Sequence, residues 1–123
     1  MLKPIMAGIA ALLIAGPALA AEEWDFILVN NSSKPIKLVE VSPAGKASWV
    51  ANKIDPEIKR DDVLRPEGRM TVHFEKEDAE CRYDLRATFE DGSDSVWPAI
   101  NVCDNSFVTI SYAANGTTRF TAN

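Results

Sequence analysis

Between Cys81 and Glu90 apolar and polar residues alternate without a break. Cys81, Tyr83, Leu85, Ala87 and Phe89 fall on one face, and Arg82, Asp84, Arg86, Thr88 and Glu90 on the other. A period of two marks a half-buried β-strand. Asp91-Gly92, followed by Ser93 and Asp94, signals a hairpin turn, and a return strand runs from Ser95 to Cys103. Met70 to Glu75 has the same period, with Met70, Val72 and Phe74 inward and Thr71, His73 and Glu75 outward. Trp24 to Val29 is rich in strand-forming residues and stops at the turn-forming Asn30-Asn31-Ser32-Ser33. Pro35 to Val41 follows, with Ile36 and Leu38 assigned to the core and Val39 and Val41 as further candidates. Proximity along the chain predicts that these two strands form a hairpin.

Pattern alone does not set the register of the cysteine hairpin. A three-residue loop, Asp91-Gly92-Ser93, puts Cys81 opposite Cys103 but turns Val96, Ile100 and Val102 to the polar face. A two-residue loop restores the pattern and sends the cysteines to opposite faces. A bulge at Pro98, which has no ladder N–H, would flip the phase; a return strand buried on both faces is the other solution. The C-terminal hairpin is better determined. A loop of Ala114-Asn115-Gly116, with Gly116 in the left-handed region, pairs Ile110 with Phe120 and keeps Val108, Ile110 and Phe120 on one face.

From Ser42 to Asp62 there is no steady period. Ser42-Pro43-Ala44-Gly45 ends the second strand. Ser48 is placed to cap a single helical turn at Trp49, which Asp55-Pro56 would end. Long connections in compact domains are often functional or packed by their own side chains. Trp49 is read as a plug over the end of the core, and Trp49, Asp61 and Asp62 as the positions most suited to meeting a partner. The run Glu75 to Glu80 reads as a solvated connection. The count is about seven short strands with no helical period, which predicts a small antiparallel β-sandwich with one disulfide, or alternatively a partly closed barrel.

The first twenty residues carry one early cation, Lys3, then an apolar run from Ile5 to Ala15, a Gly-Pro break and a closing Ala18-Leu19-Ala20. That is the layout of a secretory signal cut after Ala20; the apolar run is short of the ~20 residues needed to span a bilayer. Residues 21–123 are then a single domain, periplasmic or secreted, with no membrane insertion after cleavage. The formal net charge is −5, and loss of Lys3 makes it one unit more negative. A modestly acidic domain is expected to stay monomeric, and it lacks the basic surface that nucleic acid or anionic lipid requires.

In an oxidising compartment an even number of cysteines points to a disulfide. The chain has two cysteines, no Cys-x-x-Cys and one histidine, too few ligands for a zinc site. Cys81 and Cys103 are therefore expected to form a structural bridge. His73 lies on the polar face of a regular strand and no Gly-x-Ser-x-Gly is present, so it reads as a surface residue. Arg82, Asp84 and Arg86 read as an exposed charge ladder. Carboxylates gather at Asp55 to Asp62, Glu75 to Glu80 and Glu90 to Asp94; the last lacks the alternation and bidentate glutamate of a calcium loop. No catalytic residue, metal ligand or cofactor is assigned.

The stretches FILVNNSSKPIKLVEVSPAGKASW, LRPEG, CRYDLRATFEDG and INVC together resemble a group of small exported bacterial β-domain proteins of unknown function. The resemblance rests on Ser42-Pro43, Trp49, Cys81 with Tyr83-Asp84, Asp91-Gly92 and Asn101-Val102-Cys103. It implies a disulfide-linked β domain and no activity. Two functions are consistent with the chain: a non-catalytic envelope module that binds an envelope or secreted protein, or a small hydrolase or metal-dependent enzyme using loop carboxylates.

Overall fold

The computed structural model describes residues 21–52 and 63–123; the expected signal segment lies outside them. The chain forms β1 (Ala21–Asn30), β2 (Ile36–Pro43), β3 (Val50–Asn52), β4 (Arg69–Glu77), β5 (Arg82–Phe89), β6 (Asp94–Asn101), β7 (Phe107–Tyr112) and β8 (Thr118–Ala122). These make two four-stranded sheets, β4-β1-β7-β8 and β3-β2-β5-β6. Every neighbouring pair is antiparallel except β1 with β7. Phe26, Leu28, Val72 and Ile110 of the first sheet meet Val39, Leu85, Phe89 and Trp97 of the second in one core. No ladder joins the sheets at their edges among the described residues, so the architecture is a sandwich and not a barrel.

β1 and β2 do not form the expected hairpin; they belong to different sheets. The crossing is built around the fully buried Asn30. Its amide donates to the carbonyls of Lys34 at 2.8 Å and Leu64 at 3.1 Å, and its Oδ1 accepts from the Ser32 N–H at 3.1 Å. One side chain thus satisfies the backbone polar groups that a hairpin would have paired with each other, and β1 is free to pair with β4 along nine residues.

β2 shifts register between Ile36 and Leu38. Ile36, Val39 and Val41 therefore face the core, and Leu38, expected inside, is only half-buried. In place of a helical turn, Val50–Asn52 form a short strand on β2, and Ser48 donates its N–H to Ser42 Oγ at 2.9 Å.

The cysteine hairpin resolves its phase with a bulge. Phe89 N–H donates to Ser93 O at 2.8 Å, which makes the loop Glu90-Asp91-Gly92, one residue earlier than the three-residue loop expected. Leu85 then pairs with Trp97, and Tyr83 with Ile100. The register slip falls at Pro98-Ala99, where Ala99 has φ 58°. Trp97 and Ile100, three residues apart, both reach the core because of it. The Cys81–Cys103 bridge, with α-carbons 5.3 Å apart, closes the opposite end of this hairpin.

The C-terminal hairpin has the expected form: Ile110 pairs with Phe120, Tyr112 with Thr118, and Gly116 sits at φ 89°. The acidic run Glu75 to Glu80, which begins inside β4, is not wholly solvated. Lys76 is buried, with its ammonium 5.2 Å from the centre of the Trp24 ring and donating to the carbonyls of Glu77 at 2.9 Å and Glu80 at 3.1 Å.

Candidate functional site

The outward face of the β3-β2-β5-β6 sheet carries a row of four aligned residues, Ala51, Glu40, Arg86 and Val96, one from each strand. Arg86 Nε donates to Glu40 Oε1 at 2.9 Å, and both side chains are half-buried. The Arg86 guanidinium also lies over the Trp49 ring, 4.5 Å from its centroid. Trp49 is half-buried on this outer face and stands outside the core cluster, so it is not the expected plug over the core end. Val96 is 36% exposed, and Ala51 at the other end of the row is exposed as well. The result is a fixed ring and cation bordered by apolar side chains.

Asp84 holds this surface in place. It is buried, contrary to the exposed ladder expected, and Arg86 turns to Glu40 instead. Asp84 Oδ2 accepts from Gly45 N–H at 3.0 Å and Oδ1 from Ala99 N–H at 2.9 Å. One carboxylate on β5 therefore ties the turn that delivers Trp49 to the bulge of β6. Gly45 and Ala47 in that turn both have positive φ, at 77° and 51°. Of the three positions assigned to a partner, only Trp49 can be placed; Asp61 and Asp62 lie outside the described residues.

His73 is on the outward face of the other sheet, directly opposite Asp25. Its Nε2 is 2.8 Å from Glu23 Oε1 and its Nδ1 3.6 Å from Asp25 Oδ2. The Glu23 hydrogen bond, with Asp25 behind it, raises the imidazole above its ordinary value of 6.5. Both ring nitrogens face carboxylates.

In the β5–β6 loop, Asp91 Oδ1 accepts from the Ser93 hydroxyl at 2.6 Å and the Ser93 N–H at 2.9 Å, and its other oxygen is 3.2 Å from Lys34 Nζ. These contacts, the Ser93 hydroxyl first, lower its pKa to about 2. Beside it is a shallow depression of about 250 Å³ lined by Lys34, Pro35, Phe89, Glu90 and Asp91. Lys34 Nζ lies 4.7 Å from the centre of the Phe89 ring. Among the described residues no three His, Cys, Asp or Glu side chains converge on a point that suits a metal ion.

The sequence did not flag Glu40, Arg86 and Asp84 as a unit. Opposite charges at outward positions of β2 and β5 were a usable signal, but only once those strands are known to be neighbours.

Comparison with protein-family models and with curated proteins found no match. Among solved structures, the chain is similar to a protein from Eubacterium rectale determined by NMR, at 15% identity and a TM-score of 0.51. The likeness covers 82% of this chain and 88% of that one. At that identity the likeness establishes the fold alone.

Proposed function

We propose that the protein is a non-catalytic, exported binding module of the bacterial cell envelope, and that it meets its partner through the outer face centred on Trp49, Arg86 and Glu40. The observation that carries this reading is the Arg86 guanidinium stacked on Trp49 on the solvent side of a sheet. Tryptophan and arginine are the residues most enriched among binding hot spots, and here neither has to be ordered at the moment of contact, which reduces the cost of association. The Cys81–Cys103 bridge suits an oxidising periplasmic or extracellular location. The partner on this reading is an envelope or secreted protein, in keeping with the group that the motif pattern resembles. The hydrolase alternative needs carboxylates or His73 gathered in a cleft, and among the described residues no such gathering favours it.

The test uses immobilised wild-type protein and two variants, Trp49→Ala and Arg86→Glu, exposed to solubilised envelope fractions. A protein retained by the wild type and lost from both variants, with folding intact, is the expected result. Equal retention by all three would remove the proposed surface.

A further inference from the structure

The two sheets have four edges, and three of them are obstructed. β3 offers three residues, Val50–Asn52, among those described. On β6, Pro98 has no N–H, and the Ala99 N–H is turned to Asp84 at 2.9 Å. On β4, the His73 N–H is taken by Asn52 Oδ1 at 2.6 Å and the Glu77 N–H by the Tyr83 hydroxyl at 2.9 Å. Short strands, proline, bulges and covering side chains are the usual means by which a sheet is kept from pairing with another chain.

β8 has none of these devices. Phe107 and Asn123 exchange both of their hydrogen bonds, at 2.9 and 3.0 Å, and Ala113 N–H donates to Thr117 O at 2.8 Å. Odd-numbered residues of β8 therefore bond to β7, and Thr118, Phe120 and Ala122 point N–H and C=O away from the sheet. These groups have no partner among the described residues.

We propose that this edge is where a second copy of the chain adds, by antiparallel β8–β8 pairing about a two-fold axis at Phe120. The register is self-complementary. Phe120 faces Phe120 of the other copy and Thr118 faces Ala122, so every outward group on the two edges finds a partner. Because the facing residues share parity, the core side of one sheet continues into the core side of the next. On the solvent side the exposed Arg119 falls opposite the exposed Thr121 of the other copy, with no like-charge clash. An isologous contact of this kind closes at two copies and cannot extend into a fibre. It departs from the monomer that acidic composition suggests, because Arg119 is the one charged residue in β8.

Sedimentation velocity of the purified protein over a wide concentration range tests the proposal, with two substitutions at a position whose side chain is exposed. Thr121→Arg sets arginine against Arg119 twice per dimer and should weaken association by about tenfold; Thr121→Glu creates two opposite-charge pairs and should tighten it severalfold. Wild-type protein that stays monomeric throughout, or a dimer whose affinity is the same in all three proteins, would overturn it. Hydrogen exchange gives a second readout: the Phe120 amide should exchange more slowly as concentration rises, while unchanged exchange in a dimer would place the contact elsewhere.

Discussion

Arg86 covers the Trp49 ring from 4.5 Å, and this pair sits on the solvent side of its sheet. Trp97, by contrast, is fully buried and donates its indole N–H to the carbonyls of Ser111 and Arg119, both at 3.0 Å. The two tryptophans should therefore respond differently to truncation. Trp49→Ala loses a partly exposed cation–π contact and should cost about 1 kcal/mol. Trp97→Ala opens a core cavity and should cost about 3–5 kcal/mol. Urea unfolding of both variants checks the contrast.

Asp84 should matter more to stability than its position among two arginines suggests. Asp84→Ala strands the N–H groups of Gly45 and Ala99, at about 2–4 kcal/mol for two unsatisfied donors. Asp84→Asn retains one acceptor oxygen and should fall between the variant and the wild type. The unfolding midpoint at constant slope gives the order.

The disulfide joins residues separated by 22 positions, and closing a loop of that size restricts the unfolded chain by about 3 kcal/mol. Against a total of about 5–15 kcal/mol for a small domain, the double variant Cys81→Ala/Cys103→Ala should remain folded with a clearly lowered melting temperature. An unchanged melting temperature would show that the bridge carries no stability.

His73 and Asp91 give pH dependences of opposite sign. The folded His73 titrates above 6.5 because Glu23, and then Asp25, hold its proton. Its contribution is fully present below about 6.5 and disappears as pH rises through the folded value. The melting temperature should fall as pH rises above 6.5 through the folded value, and His73→Gln should flatten the fall. Asp91 drops from 3.8 to about 2 on folding, so its contribution is present above 3.8 and lost as pH falls through about 2. Asp91→Asn should reduce the loss of stability on the acid side.

Much of the fold was legible where local rules act alone. The outward and inward sets of Met70 to Glu75, the Ala114-Asn115-Gly116 loop and the Cys81–Cys103 pairing follow from period, turn chemistry and redox logic, and each appears as expected. The failures come where a distant group overrides the local signal. Asn30 reads as a turn residue, but its carbonyl partner on Leu64 is 34 residues away, and only that contact reveals that the chain changes sheets. Leu38 shows that a single register slip reassigns which residues face the core, whereas the slip at Pro98-Ala99 is one of the two solutions the sequence left open. Lys76 and Asp84 read as solvated because charged residues usually are, and backbone partners make their burial tolerable. The proposed contact surface was the least legible, since Trp49 meets Arg86 only after β3, β2 and β5 assemble.

The reading of that surface is tested most directly by replacing Trp49 with a photo-crosslinking amino acid in living cells, alongside the same replacement at Thr71, exposed on β4 of the other sheet. Illumination should yield a discrete adduct with an exported protein from position 49, absent from position 71 and lost when Arg86→Glu is added. No adduct from position 49, or the same adducts from both positions, would contradict the assignment of this face as the contact surface.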